Sequence, residues 1–243
     1  MEEIKMENKT IEFVCTANNG RSTISRAIAQ DYLVRTGLDQ KYNSVSSGSH
    51  ADAVLAGNMP LRIKKMVIES GARDGVCSAE ELTQLIDNYS LEDIEKRQSE
   101  DSEYSAIFEA TAERCRSHYS DIEEAECREA AKELGIEQYL DGNFKQTKAS
   151  DETIAVLTMG ASNLKAVQGM YAESEYDPVM EIISKYALGE DASEVQNAFS
   201  KGKEVYKGVV AQLREIVPQA IDKAVFEYET ESGENYESST DSD

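Results

Sequence analysis

The chain has four cysteines in 243 residues, Cys15, Cys77, Cys115 and Cys127, and no two stand at the C-x-x-C spacing of a zinc or dithiol centre. Histidine is scarcer still: His50 and His118 are the only two, and neither belongs to a His-Glu-x-x-His motif. A metal centre built from these residue types is therefore not expected, and no cofactor is. Basic residues are outnumbered, 25 Lys and Arg against 47 Asp and Glu, for a net charge of −22. That charge repels a nucleic-acid backbone and an anionic membrane surface, so neither is expected as a partner. No apolar run approaches the length of a membrane span. The opening stretch, MEEIKMENKT, is charged and lacks the apolar centre of a signal peptide. The expectation is a soluble, cytoplasmic chain with reduced thiols.

What is present is a patterned, foldable chain, with 40% hydrophobic residues. TIEFVC (10–15) reads as a buried strand. STISRAIAQDYLVRTG (22–37) repeats Ile24, Ala27, Ile28, Tyr32 and Leu33 at helical spacing, with Gly37 to close it. KYNSVSSGS (41–49) reads as a second strand, and MPLRIKKMVIESG (59–71) as a helix with Pro60 in its first turn. This alternation predicts a parallel sheet with crossover helices. Residues 78–135 break the pattern, with no proline and no convincing strand. Ser78 with Glu81 and Ser90 with Asp93 have capping-box spacing, so several helices with solvated charged faces are expected there. ETIAVLTMG (152–160) restores a strand, and SNLKAVQGMY (162–171) a helix capped by Ser162 or Asn163. Asp177-Pro178 reads as a turn into another helix. SEVQNAFSKGKEVYKGVVAQLREIVPQAIDKAVFEY reads as a long helix bent or broken near Pro218. The predicted fold is α/β: a three-layer sandwich with a mostly four-stranded parallel sheet, plus a helical insertion. Its bounds are an α/β domain over 1–77 and 136–226, an insertion over 78–135, and a disordered acidic tail over 227–243.

The chemistry concentrates in CTANNGRS, residues 15–22. A strand-to-helix turn gathers backbone N–H groups in one concavity, and the helix adds the positive end of its dipole. Such a site favours the thiolate of a cysteine placed there. Thr16, Ala17, Asn18, Asn19, Gly20, Arg21 and Ser22 would form the binding cradle. Arg21 offers a planar fork of donors for two phosphate oxygens. Gly20 permits backbone geometry that a side chain would block. Asn18 tolerates a left-handed conformation and can tie the loop together, and Ser22 can donate to the Cys15 sulfur. These parts suit a tetrahedral dianion and attack on its phosphorus.

Cys-x5-Arg-Ser resembles the phosphate loop of the low-molecular-weight protein tyrosine phosphatases. Other stretches follow in family order. SSGSHADA (46–53) resembles the family's Ser-Ala-Gly-Thr loop, IAVLTMGASNL (154–164) its strand ending in Met-Asp-x-Ser-Asn-Leu, and Tyr176-Asp177-Pro178 its late Asp-Pro loop. The resemblance lies in two blocks, 1–75 and 130–225. It implies Cys15 as nucleophile, Arg21 as phosphate grip, Asp177 as general acid, and Asn18, Ser22 and Ser47 as loop braces. The implied activity is a protein-tyrosine phosphatase acting on a phosphorylated protein or small phosphomonoester, with phosphoarginine as a variant. The chain departs from the pattern in four places. Asn19-Gly20 stands where the family often has a second cysteine, Gly160 where it has aspartate, and Val179-Met180 where an aromatic pair commonly follows Asp-Pro. Only 13 residues separate Asn163 from Asp177.

Two other functions compete. A thiol-linked arsenate reductase of the same superfamily needs two cysteines shortly after the third strand, where VLTMGASNLKAVQGMY has none. A phosphate-binding module without turnover, with the insertion recruiting a partner, is the third reading. His50 reads as a surface loop residue, His118 as a solvated helix residue, and Cys77, Cys115 and Cys127 as structural. The insertion is expected to border the loop, because connections after parallel strands gather at their carboxyl ends.

Overall fold

The computed structural model describes residues 8–142 and 144–233. Four strands, β1 (Lys9–Cys15), β2 (Tyr42–Gly48), β3 (Thr153–Thr158) and β4 (Val179–Ile182), form one parallel sheet in the order β2-β1-β3-β4. β1 is central, and the alternation of its side chains feeds two faces. Ile11, Phe13 and Cys15 enter a large apolar core with helix α1 (Arg21–Thr36) and the final helix. Val14 enters a smaller one with Val156. Val167 and Tyr171 of a helix over Ala161–Tyr171 close that second face. The expected three layers are present, with both sheet faces covered as parallel strands require.

Between β2 and β3 lie α2 (Ala51–Leu55), α3 (Leu61–Arg73), α4 (Ala79–Leu85), α5 (Leu91–Glu100) and α6 (Ser102–Glu133). Both expected capping boxes are formed, Ser78 with Glu81 and Ser90 with Asp93. Asp101 caps α6, its carboxylate accepting from the Glu103 and Tyr104 N–H groups at 3.0 Å each. The insertion has its own apolar centre, in which Leu85, Ile86, Ile94, Tyr104, Phe108 and Cys115 pack on Val67 and Ile68 of α3. Yet it is not separable at residue 135. With 32 residues, α6 is about 48 Å long. Its far end places Cys127 and Ala131 in the main core under the sheet.

After β3 come α7 (Ala161–Tyr171), β4, α8 (Ile183–Leu188) and α9 (Lys203–Ser232). Three expectations are corrected here. Asp177-Pro178 leads into strand β4, not a helix, because Val179–Ile182 completes the sheet edge beside β3. Pro218 lies inside α9, which runs through it as one helix. The tail does not begin at 227: α9 continues to Ser232, since Tyr228 meets the Tyr42 ring edge-on and Glu229 is buried, accepting from the Tyr42 hydroxyl at 2.9 Å. The rest of the expected tail, 234–243, lies outside the described residues.

Candidate active site

β1 ends on Cys15 and α1 begins on Arg21, so residues 16–20 turn within a few ångströms at the carboxyl edge of the sheet. The turn is possible because two neighbours yield. Asn18 takes the left-handed conformation, φ 55°. Gly48, beside Cys15 in the sheet register, lets the loop pass: a methyl group there would stand 2.7 Å from the Thr16 carbonyl oxygen and 2.9 Å from the Asn18 nitrogen. Backbone bonds then tie the loop to the next segment, Ser49 N–H to Cys15 O at 2.8 Å and His50 N–H to Thr16 O at 2.9 Å.

A buried chain of hydrogen bonds sets the loop's interior. The Ser22 hydroxyl lies 3.1 Å from Cys15 Sγ and 2.9 Å from Asn18 Oδ1. Thr23 Oγ1 donates to the same Asn18 oxygen at 3.4 Å. Ser22 has one proton and two acceptors when Cys15 is ionised. It can turn from Asn18 to the sulfur, while Thr23 keeps Asn18 satisfied. From the other side, Asn18 Nδ2 donates to Gly142 O at 3.3 Å and Phe144 N–H donates to Asn18 O at 3.0 Å. Arg21 is buried, its Nη1 donating to Val195 O at 3.4 Å. No side chain caps the amino end of α1, so its first N–H groups, which have no partner within the helix, are not taken by a capping side chain.

These residues open on a cavity of about 450 Å³. Cys15, Thr16, Ala17, Asn19 and Arg21 form its floor, and Met59, Pro60, Ile63, Met66 and Phe199 give it an apolar wall. The expected insertion border is real: Arg116, Ser120 and Glu123 of α6 line the same cavity. Arg116 pairs with Glu113, and Asn19 Nδ2 donates to Ser120 O at 2.8 Å. Among the described residues, no group of three or more His, Cys, Asp and Glu side chains comes together as a metal site.

Two expected site residues are not brought to the loop. Ser47 points to the opposite face of the sheet, where it bonds Glu12 and, at 2.7 Å, Thr147. Bracing falls to Ser49 and Asn163 instead: Asn163 Nδ2 donates to Ser49 Oγ at 3.0 Å and Thr16 Oγ1 at 3.2 Å. Asp177 is exposed at the amino end of β4. In a parallel sheet that is the end away from Cys15. The intervening strand spans about 13 Å, and Asp177 does not line the cavity. The cap expected on Ser162 or Asn163 is also absent. Gly160 precedes α7, and Glu194 fills the space its side chain would take, accepting from Ala161 N–H at 3.0 Å. His50 is exposed in the turn after β2, as expected of a surface loop residue, and it also lines the cavity, with Nδ1 2.9 Å from Ser49 Oγ.

The other thiols are poorly suited to redox relay. Cys77 and Cys115 belong to the insertion's core, and burial pushes Cys115 up to about 12. Burial likewise pushes Cys127 up to about 12, with Tyr206 opposing. Residues missed by sequence reasoning include Glu123, Arg116 and Ser120. Their 4-3 spacing along one helix was visible, but nothing in it said which neighbour that face meets.

Residues 10–91 match the family described as Low molecular weight phosphotyrosine protein phosphatase. No curated protein matches the chain in sequence. Among solved structures, a YwlE mutant from Bacillus subtilis is similar at a TM-score of 0.51 and 16% identity, covering 89% of this chain and 98% of that one. A low molecular weight protein tyrosine phosphatase from T. tengcongensis matches at 0.50 and 18%, covering 89% and 99%. A low molecular weight phosphotyrosine phosphatase from Vibrio cholerae O395 matches at 0.51 and 13%, covering 93% and 99%. The chain thus matches the family model over residues 10–91 and is similar to these solved structures in fold over most of its length.

Proposed function

We propose that the chain is a cysteine-dependent phosphomonoester hydrolase that prefers aryl phosphates, phosphotyrosine in a protein first among them. The observation that carries this reading is the buried Cys15–Ser22–Asn18 chain, on one cavity with Arg21 and the uncapped start of α1. A phosphate dianion in the turn would meet the loop N–H groups and the Arg21 fork, with the sulfur beneath its phosphorus. The Cys15 thiolate attacks phosphorus, the S–P bond forms, and the ester P–O bond breaks. Ser22 steadies the sulfur as its charge changes. Water then cleaves the S–P bond and releases phosphate. The apolar wall of Met59, Pro60, Ile63 and Phe199 suits an aromatic leaving group. The family match over residues 10–91 supports a phosphatase, and the elevated, buried Cys115 and Cys127 thiols disfavour an arsenate reductase.

The test is p-nitrophenyl phosphate hydrolysis by wild type and Cys15→Ser. The serine variant is expected to lose turnover and keep phosphate binding, because the cradle persists. Turnover in Cys15→Ser equal to wild type would exclude the reading. Phosphate binding by an inert wild type would favour the module without turnover.

A further inference from the structure

Among the described residues, the expected acid is not at the loop, and the titratable acids on the cavity wall besides the exposed His50 are carboxyl groups. Asp177 stands at the wrong end of the sheet. Beyond the carboxyl end of β4 the chain reads Ile183-Ser184-Lys185, which carries no carboxyl group. Two carboxyl groups line the cavity, Glu194 and Glu123. Glu194 serves α7, accepting from the Ala161 N–H.

We propose that Glu123, delivered over the loop by helix α6 of the insertion, is the general acid and base of the reaction. This rests on the Cys15 phosphatase reading. Its position is enforced from both sides along the helix. Three residues earlier, Ser120 O accepts from Asn19 of the loop at 2.8 Å; four residues later, Cys127 Sγ lies 3.8 Å from Gly20 O. Glu123, on the same face between them, is thereby held against the loop. The fit needs Gly20: a methyl group there would stand 2.5 Å from Glu123 Oε1.

The surroundings suit a carboxyl that alternates between charge states. Arg21 from α1, Asn19 from the loop, and Glu126 of α6 itself all act on it, and it in turn acts on Cys127 and on Tyr206 of α9. Burial pushes Glu123 up to about 7, against the pull of Arg21. A bound phosphate dianion, as a like charge, pushes it in the same direction. The Asn19 side chain hydrogen-bonds this carboxyl and, like Arg21, favours its ionised form, so burial and the two polar neighbours pull in opposite directions.

The chemistry balances through this one proton. As the Cys15 thiolate forms the S–P bond, the departing ester oxygen takes the Glu123 proton and leaves as an alcohol or phenol. The Glu123 carboxylate then accepts a proton from water as its oxygen attacks phosphocysteine. The S–P bond breaks, phosphate departs, and Cys15 thiolate and Glu123 carboxylic acid are restored.

The experiment compares wild type, Glu123→Gln, Glu123→Asp and Cys15→Ser on phenyl phosphate and p-nitrophenyl phosphate across the pH range. Glu123→Gln is expected to slow phenyl phosphate by about 10²–10³-fold and the activated ester by less than about tenfold. It should lose the basic limb of the pH profile and still be inhibited by inorganic phosphate. Glu123→Asp should keep that limb at an intermediate rate. Equal losses on both esters with the basic limb intact, while Cys15→Ser is dead, would overturn the Glu123 role and leave the phosphatase reading standing. A wild type inert on both esters, or an active Cys15→Ser, would overturn both. If Glu123→Gln fails to fold, Glu123→Asp decides by the same limb and leaving-group readouts: a rate and profile identical to wild type on both esters would count against the role.

Discussion

The phosphate loop and the helical insertion meet at one cavity but are held together by different physics. The loop is fixed by polar groups in the interior: Asn18 and Ser22 are fully buried and bonded to each other, and Asn163 ties Thr16 of the loop to Ser49. Such a network is stiff, because breaking any bond strands a buried partner. The insertion is fixed by apolar burial around Phe108 and by caps at its helix starts. Apolar packing tolerates small displacements better than a buried hydrogen-bond network does. The contrast assigns geometry to the loop and environment to the insertion. Helix α6 joins the two, with one end in each core and its middle over the cavity.

The largest effect should come from the loop itself. Arg21→Lys is expected to lower kcat/KM by about 10²–10³-fold, because an ammonium cannot supply a planar fork. Steady-state kinetics would check it, and a lysine variant retaining most of the rate would reduce Arg21 to a point charge. In the insertion, Phe108→Ala should destabilise by about 3–5 kcal/mol in urea titration. Since α6 spans both cores, a single transition is expected by both circular dichroism and activity; two separate transitions would break the coupling drawn here.

A third test concerns the sheet face opposite the cavity. Burial raises Glu12 from 4.5 to about 7, although its Ser47 bond opposes the shift. The folded state therefore keeps a proton that the unfolded chain releases between these values. Stability should fall as pH rises from about 4.5 to about 7, by about 3 kcal/mol from this group. Glu123 adds a slope of the same sign, so the readout is the difference between wild type and Glu12→Gln. An unchanged slope in Glu12→Gln would show that Glu12 is ionised in the fold. The smallest effect is Ser78→Ala, about 1 kcal/mol from a lost cap, with turnover unaffected.

Three of the four strands, most helices and the whole Cys15–Ser22 loop were legible, because each is a local pattern: an apolar run, a helical repeat, a turn with Asn and Gly at the needed places; the short edge strand β4 was not. Both capping boxes were readable for the same reason. What was not legible was long-range. Asp177-Pro178 carries the right residues for an acid loop, but only the register of β4 against β3 shows that it precedes the strand. Ser47 and Ser49 differ by two positions, and the roles turn on contacts with Glu12 and Asn163 from distant segments. Glu123 sits among many glutamates of an acidic helix, and only the packing of α6 on Gly20 separates it from them.

The central claim is that Cys15 becomes phosphorylated during turnover. Rapid acid quench of the wild-type protein with a phosphomonoester, followed by peptide mass spectrometry, tests it directly. The account predicts phosphate on the peptide bearing Cys15, lost in Arg21→Ala. Steady turnover with no phosphate on Cys15, or with phosphate on another residue, would contradict it.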